Sequence, residues 1–236
     1  MAEHRRSGAR ATLVLTPVAN PAAFGLVETD ETGRVLRFVE KPEPAEITTD
    51  TINAGIYVLD TSALDLIPPH EVYSIERAFF PALLRRGDLV RAHVHRRYWI
   101  DIGTPEKYQQ VHRDILDGRF PVDLEGRRDR GGVVHPEASV AAGASLMAPF
   151  YVGPGCRVEA GAHLGSHACL VSGVTVAAGA RVQDSVVWPG ASIGEQADVE
   201  GALLGPGVRV GHDARVGRGV VLGEGAWLPP FSRCGT

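Results

Sequence analysis

Residues 135–182 read HPEASV AAGASL MAPFYV GPGCRV EAGAHL GSHACL VSGVTV AAGARV, so that every sixth residue is valine or leucine. The same spacing runs from Val134 to Leu228 and is interrupted by two five-residue steps, Val182 to Val187 and Val199 to Leu204. A small or apolar residue lies four positions after most of these aliphatic residues. This hexapeptide pattern is typical of a β-helix, and helical periodicity fits the stretch badly.

The hexads predict a triangular coil whose aliphatic side chains point to a common axis. Each hexad supplies a short strand and a corner, and three hexads close one coil, so each aliphatic side chain stacks on the one eighteen residues away, about 4.8 Å along the axis. Glycines such as Gly153 and Gly205 directly follow the aliphatic position, where the corner needs a residue without Cβ. The seventeen aliphatic positions predict between five and six coils. The stretch resembles the left-handed parallel β-helix family, and the hand is implied only by that resemblance.

Composition excludes several classes of function. The 236 residues carry a net charge of −4 with acidic and basic residues interleaved, which argues against nucleic-acid binding. No apolar run approaches eighteen residues and the basic N-terminus has no apolar core behind it, so we expect neither a membrane helix nor a signal peptide. The cysteines, Cys156, Cys169 and Cys234, are odd in number and lack metal-ligand spacing, which favours a reducing, cytoplasmic location.

The first half of the sequence predicts part of an α/β domain. Its nearly continuous apolar strand, Ala11–Val18, is of the kind that is buried on both faces of an α/β sheet. Further strands are predicted at Phe24–Glu28, Arg34–Glu40, Ile52–Leu59 and Leu89–His95. This partial, Rossmann-like domain is expected over residues 1–120, followed by a polar linker over residues 121–133 and the β-helix over residues 134–236.

A helix with clear boundary signals precedes the linker. Thr104 is its expected cap, Pro105 its first residue, and Gly118 lies just after its end. Its apolar face is formed by Tyr108, Val111, Ile115 and Leu116.

Three short stretches of the first half fit together: Phe38–Pro42 (FVEKP), Ile52–Gly55 (INAG) and Tyr98–Thr104 (YWIDIGT). With them the sequence resembles the sugar-phosphate nucleotidyltransferases, or nucleotide-sugar pyrophosphorylases, and within that family the mannose-1-phosphate guanylyltransferases most closely. The stretch SIERAFFPALL, Ser74–Leu84, strengthens the resemblance, which covers nearly the whole chain because many members carry an appended β-helix. It implies a transferase that makes GDP-mannose from GTP and mannose-1-phosphate.

The resemblance also implies a role for each matching charged residue. A sugar-1-phosphate oxygen attacks the α-phosphate of a nucleoside triphosphate and expels pyrophosphate, so the site must gather negative charge. Lys41 is implied as a catalytic cation that binds the sugar phosphate, and Asp101 as a catalytic ligand of Mg²⁺. Glu40 is implied as an acceptor for sugar hydroxyl groups.

Three uncharged residues complete the implied substrate site. Asn53 would bind a further hydroxyl group, and Gly25 and Gly55 would let the backbone approach the sugar ring. Each motif also has a purely structural interpretation: a charged strand end stopped by proline, a bulge in an apolar strand, and, for Asp101, a charge that complements a helix dipole. The order and spacing of all three motifs favour the nucleotidyltransferase interpretation.

The sequence also departs from the family it resembles. That fold opens with a G-x-G-x-R-L loop and a P-K pair that cradle the triphosphate, and it later has a G-D pair that supplies a metal ligand; neither is present in this sequence. Gly217-Arg218-Gly219 is interpreted as a coil corner. We therefore expect an enzyme that lacks its nucleotide-binding half, is inactive alone and leaves the Ala11–Val18 strand with an unpaired or uncovered side.

Two other classes of function stay open at this point. A hexapeptide acyltransferase would use a histidine base between coils, with His135, His163, His167 and His212 as candidates, although no extruded loop closes such a groove. A non-catalytic assembly or regulatory subunit, or a fragment from a truncated reading frame, would explain the absent glycine-rich loop. The half-sheet and the flat coil surface both favour self-association, so we expect a homo-oligomer.

Overall fold

The structure is a computed structural model that describes residues 1–40, 42–129 and 131–235, without the side chains of Ala23, Glu40 and Glu46. The chain folds into two compact units, Met1–Trp99 and Ile100–Thr236. The domain boundaries expected at residues 120 and 134 stay a prediction.

The first unit contains a five-stranded sheet and short helices. Its strands are β1 (Ala11–Pro17), β2 (Gly25–Thr29), β3 (Val35–Glu40), β4 (Thr51–Leu59) and β5 (Val90–Val94). The α-helices are α1 (Ala2–Ser7) and α2 (Phe80–Arg85), and α2 continues a π-helical turn, Ile75–Phe79. Short 3₁₀ helices occupy Pro21–Ala23, Pro44–Glu46 and Thr61–Leu66. All five predicted strands are present, with ends within one residue of the prediction.

Strand β1 lies inside this sheet. The strand order is β3-β2-β4-β1-β5, with β1 antiparallel to β4 and parallel to β5. Ala11 is paired with Leu59 on one side and with Val90 on the other. Of the expected unpaired or uncovered side, the unpaired alternative is therefore wrong, because two later segments of the same chain supply both neighbours.

The core of the first unit lies between one face of the sheet and the helical segment Ile75–Arg85. Leu13 and Leu15 on β1 are fully buried, as are Phe79 and Phe80. The ring of Phe80 stacks on Phe38 of β3 with centroids 5.1 Å apart. Aromatic pairs of this kind add to the stabilisation that area burial provides. The face of β1 that carries Thr12 and Val14 is only half-buried.

The second unit contains one helix and a coil of short strands. The helix is α3 (Pro105–Leu116), and β6 (Arg127–Asp129) pairs with β7 (Gly132–Val134) as an antiparallel hairpin. The strands that follow, β8 to β24, are two or three residues long: Ser139–Val140, Ser145–Leu146, Phe150–Val152, Arg157–Val158, His163–Leu164, Ala168–Leu170, Thr175–Val176, Arg181–Gln183, Val186–Val187, Ser192–Ile193, Asp198–Glu200, Leu203–Leu204, Arg209–Val210, Arg215–Val216, Val221–Leu222, Trp227–Leu228 and Arg233–Cys234.

Strands β7 to β24 form a parallel β-helix of six coils. They fall into three sheets, and in each sheet every strand pairs with the strand three places later in the chain. The predicted β-helix is therefore confirmed, and it includes one strand beyond Leu228, because Cys234 pairs with Val216. Its hand, implied by the family resemblance, stays a prediction.

The spacing between stacked residues is not eighteen throughout. Val152 pairs with Leu170, eighteen residues on, but Leu170 pairs with Val187 and Val187 with Leu204, each seventeen residues on. The uniform value of eighteen is thus wrong for the coils that contain a five-residue step. Those coils keep the same pairing because their shorter corner removes one residue between two strands.

The glycines of the β-helix occupy two kinds of corner position. A Cβ added to Gly153 would lie 1.7 Å from the carbonyl oxygen of Val171 in the next coil, so the position after an aliphatic residue requires glycine there. A separate corner position has left-handed backbone geometry and is occupied by glycine in most coils, as at Gly155 (φ 66°). Five corners use other residues in that conformation: His167, Asp184, Gln196, Asp213 and Phe231.

The most buried residues of α3 are polar. The helix begins as predicted, since the Thr104 hydroxyl accepts a hydrogen bond from the Lys107 amide and Pro105 is in the first turn. Its most buried residues, however, are Gln109 and Asp114, whereas the predicted apolar face is half-buried. The reason is that the helix meets the β-helix partly through polar contacts. Among the described residues, no helix is long and apolar enough to cross a membrane.

We predict that Val176→Asp destabilises the β-helix strongly. Val176 is fully buried on the axis, so the substitution places a carboxylate where water and partners are absent, at a cost of several kcal/mol. Thr175→Asp is the matched control, because Thr175 is the neighbouring half-buried residue of the same two-residue strand. Thermal unfolding followed by circular dichroism measures both variants, and a Val176→Asp melting temperature within a degree or two of the parent would contradict the axial assignment.

Candidate functional site

Asn53 is the centre of a buried polar cluster in the first unit. It lies on β4 and is 8% exposed. Its side-chain amide donates to Oε1 of Glu76 at 2.6 Å and to the hydroxyl of Tyr57 at 2.7 Å, while Oδ1 accepts from the Gly55 amide at 3.1 Å. Three of the four hydrogen-bonding positions of this amide are therefore occupied within the protein.

A bulge in β4 creates this arrangement. The pairing register with β1 shifts between Leu13, opposite Tyr57, and Leu15, opposite Asn53, so that extra residues of β4 face a single residue of β1. Gly55 in the bulge has φ 75°, a conformation that favours glycine. The structural interpretation of Asn53–Gly55 as a bulge is correct, and the same bulge brings Asn53 and Tyr57 within hydrogen-bonding distance.

The cluster lines a small surface depression together with Gly25. Gly25, Asn53 and Glu76 line it along with apolar residues of β2 and β3. Gly25 begins β2 and is paired with Glu40, the last residue of β3, which brings the backbone of two candidate residues side by side. The Glu40 side chain and Lys41 lie outside the described residues.

Glu76 is a site residue that the sequence analysis did not assign. It is half-buried in the π-helical turn that begins after Ser74, whose hydroxyl accepts a hydrogen bond from the Arg77 amide. Its contact with Asn53 joins residues 23 positions apart, so no local spacing reveals it. The only available signal was its position within SIERAFFPALL, the stretch that strengthened the family resemblance.

Asp101 belongs to the second unit and has an exposed carboxylate. The side chain is 49% exposed, Oδ1 accepts from the Gly103 amide at 3.1 Å, and Oδ2 lies 3.8 Å from Nζ of Lys107. Lys107 is in the first turn of α3, so the loop that carries Asp101 leads directly into this helix. Free access from solvent and a nearby cation suit a carboxylate that receives a phosphate-bound metal ion.

Asp101 does not stand in a preformed metal site. Within the ranges described, no group of three or more histidine, cysteine, aspartate or glutamate residues is placed to hold a metal ion. Mg²⁺ is commonly bound by one or two carboxylates together with substrate phosphates and water. A single exposed carboxylate therefore fits a metal ion that arrives with its phosphate ligands.

Two sequence patterns resemble the missing motifs but have structural roles. Gly87–Asp88 is a G-D pair, contrary to the statement that none is present; it connects α2 to β5, and Oδ2 of Asp88 lies 3.3 Å from Nε of Arg86. Gly153–Val158 and Gly205–Val210 approach G-x-G-x-R-L with a final valine, but both are corners and strands of the β-helix. Neither pattern has the strand-to-helix context that a phosphate loop needs.

The histidines considered for acyl transfer lie at scattered positions on the coils. His167 is 2.8 Å from Asp117, His212 is 3.0 Å from Asp213, and His135 is 3.6 Å from Glu125. His163 lies on a different strand, β12. The strands are joined by short corners without an extruded loop, as expected, so nothing here favours an acyltransferase groove.

In this chain an α/β unit precedes a parallel β-helix. Residues 1–118 match the family model described as Nucleotidyl transferase, and residues 146–228 match the model described as GMPPB C-terminal domain. The chain therefore belongs to the nucleotidyl transferase family.

Curated relatives share this chain's sequence over much of its length. A mannose-1-phosphate guanylyltransferase of Mycobacterium tuberculosis is 41% identical over 182 residues, covering 76% of this chain and 50% of the relative. A probable mannose-1-phosphate guanylyltransferase 1 of Oryza sativa subsp. japonica is 36% identical, covering 93% and 61%. A UTP–glucose-1-phosphate uridylyltransferase of Synechocystis is 31% identical, covering 94% and 56%. The chain thus spans half to three fifths of the length of these relatives.

We predict that Asn53→Ala destabilises the first unit. It removes the donor to Glu76 and leaves a half-buried carboxylate without that partner, which costs about 1–3 kcal/mol. Tyr57→Phe is the control, because it removes only the hydroxyl that accepts from Asn53 and keeps the ring against Phe80. Urea unfolding should show the larger loss for Asn53→Ala, and equal stability of the two variants would contradict the role of the Asn53–Glu76 contact.

Proposed function

We propose that this chain carries the sugar-phosphate side of a sugar-1-phosphate nucleotidyltransferase site. The observation that carries the proposal is the Asn53–Glu76 cluster beside Gly25, in residues matched by the nucleotidyl transferase model. The reaction is GTP plus mannose-1-phosphate to GDP-mannose plus pyrophosphate. Guanine and mannose are favoured because relatives with that printed activity include the one at 41% identity, while the uridylyltransferase is at 31%.

The roles of the site residues follow from the charges involved. A phosphate oxygen of the sugar phosphate attacks the α-phosphorus, a new P–O bond forms and pyrophosphate leaves with the electrons of the broken bond. Lys41 neutralises the sugar phosphate. Glu40 and Glu76 accept hydrogen bonds from sugar hydroxyl groups, and Gly25 and Gly55 allow close approach of the backbone. Asn53 orients Glu76, since its own amide protons already bind Glu76 and Tyr57.

Asp101 is proposed as a ligand of Mg²⁺, which would arrive bound to phosphate oxygens. When bound, the metal ion neutralises charge that develops on the phosphates. The carboxylate contributes an exposed, anionic oxygen, and the Gly103 amide fixes its orientation. We further propose that the protein acts in the cytoplasm and self-associates, as expected from its composition and its flat coil surface.

A second candidate is a sugar-phosphate-binding subunit without turnover of its own. The observation that favours it is that residues 1–40, 42–129 and 131–235 contain no G-x-G-x-R-L loop in a strand-to-helix context. Binding of the sugar phosphate is common to both candidates, whereas pyrophosphate release separates them.

We predict that Lys41→Ala weakens binding of mannose-1-phosphate to the chain by about 10- to 100-fold. A charge-assisted hydrogen bond to phosphate is worth about 1.5–3 kcal/mol. Arg209→Ala is the control, since Arg209 is an exposed residue of the β-helix. Isothermal titration calorimetry measures the affinities, and equal affinity of Lys41→Ala and parent would refute the assigned role of the lysine.

We predict that the chain alone releases no pyrophosphate from GTP and mannose-1-phosphate with Mg²⁺. The phosphate loop supplies several transition-state contacts of about 3 kcal/mol each, so its absence should cost more than about 10⁴-fold in rate. Addition of the N-terminal half of the Mycobacterium tuberculosis relative should restore turnover, and Asp101→Ala should prevent that restoration. Ordinary turnover by the chain alone would show that it is a complete enzyme, and restoration with Asp101→Ala would remove its metal role.

A further inference from the structure

Asp184 of the β-helix receives two side-chain contacts from helix α3. The guanidinium group of Arg113 forms two hydrogen bonds with Asp184, from Nε to Oδ1 at 2.6 Å and from Nη2 to Oδ2 at 2.8 Å. One turn earlier, the side-chain amide of Gln109 donates to the backbone carbonyl of Asp184. A bidentate arginine contact fixes orientation as well as distance. The contact at Arg113 therefore restrains the orientation of α3 relative to the β-helix.

Asp184 is itself held by the coils. It lies in the first five-residue step and has the left-handed backbone geometry found at the corners of the coils, with φ 50°. Arg218, two coils later, donates to Oδ2 of Asp184 at 2.8 Å and to Glu200 at 2.7 Å. Burial would raise the pKa of Asp184, but the hydrogen bonds and charges of Arg113 and Arg218 outweigh it and lower that pKa. The carboxylate is thus a charged anchor between two guanidinium groups.

Two further contacts hold α3 against the β-helix, one polar and one between aromatic rings. Just after the helix, Asp117 lies 2.8 Å from His167, the left-handed corner residue of the preceding coil. Near the start of the helix, the ring of Tyr108 is 6.1 Å from that of Trp188. Cys169, which precedes the axial Leu170, faces outward yet is only 6% exposed, and its nearness contributes to the raised pKa of Tyr108 after burial itself. Tyr108 of the helix therefore lies near Cys169.

The start of the same helix carries the candidate metal ligand. Asp101 lies three residues before the cap Thr104, and Lys107 in the first turn approaches its carboxylate. Arg113 is nine residues beyond the cap, about 14 Å along the helix axis. A rigid helix fixed at Gln109, Arg113 and its end has little freedom at its start, so the anchor limits where the Asp101 loop can be.

We propose that Asp184 and Arg113 are positioning residues for Asp101, which hold α3 on the β-helix and thereby fix the metal-binding loop. This inference rests on the proposed function of Asp101. The β-helix thereby takes part in the reaction, because its shortened corner supplies the carboxylate that fixes the position of the Asp101 loop. Neither residue touches substrate, and both act through the helix.

The test uses the chain itself, with thiol labelling of Cys169 as a report on the helix. Burial raises the pKa of Cys169 to about 12 and leaves the residue only 6% exposed, so alkylation at pH 8 should be slow while α3 stays in place. Arg113→Ala and Asp184→Asn should each speed labelling of Cys169 at least about tenfold, the loss expected for a charged hydrogen bond. Arg113→Lys, which keeps the charge, should fall between them and the parent. Labelling of Cys156, which is buried on the axis, should not change, and Arg209→Ala is the matched arginine control.

Binding of Mn²⁺ with pyrophosphate, followed by water-proton relaxation, measures the metal-binding loop. Asp101→Asn shows how much Mn²⁺ affinity is lost when the ligand itself is removed. Arg113→Ala and Asp184→Asn should each weaken Mn²⁺ binding by about tenfold. The melting temperature of the β-helix should stay unchanged in both. Unchanged labelling, or faster labelling with unchanged Mn²⁺ binding, overturns the inference. If Asp101→Asn itself leaves Mn²⁺ binding intact, the metal role in the proposed function has failed, and the labelling rates alone then decide whether the anchor exists.

Discussion

Every coil of the β-helix must keep the same strand register as the coil before it. The stacked strands are only two or three residues long, and a slip of one residue would exchange axial for outward side chains. Val187 remains paired with Leu170 although only seventeen residues separate them. The missing residue is taken from the corner. There Ser185, fully buried, donates to the Gln183 carbonyl at 2.7 Å and accepts from the Ala202 amide at 3.0 Å, so its hydroxyl satisfies backbone groups at the shortened turn.

The same constraint determines the surface of the coil. A left-handed backbone position favours glycine, asparagine or aspartate, and Asp184 takes it where the corner is short. An aspartate at this corner presents its carboxylate at a fixed position along the axis of the β-helix. Arg218 from a later coil and Arg113 from α3 converge on it, so a requirement of local backbone geometry becomes the attachment point of a helix. Local turn chemistry and longer-range organisation are thus joined in one residue.

The sequence predicted what depends on local periodicity and missed what depends on distant packing. Axial positions such as Val176 and the ends of all five strands follow from residue patterns a few positions long. The pairing of Ala11 with Leu59 and Val90 could not be read from the strand itself, since its partners are about 50 and 80 residues away. The burial of Gln109 in α3 could not be read from the sequence for a related reason, because a local pattern does not reveal that Gln109 meets the backbone of Asp184. The roles of Lys41, Glu40, Asn53 and Asp101 stay predictions.

Asn53 shows why the structural and functional interpretations of one motif need not compete. The bulge at Gly55 is a local distortion with its own backbone cause, and an asparagine beside it satisfies the Gly55 amide. Once those demands are met, both amide protons of Asn53 point to Glu76 and Tyr57. Glu76 Oε1 is then held at the edge of a depression that also contains Gly25, and a half-buried carboxylate is suited to accept hydrogen bonds from a polyol. The site therefore depends on the distortion of the strand: the bulge fixes the side chain of Asn53, and Asn53 fixes the carboxylate of Glu76.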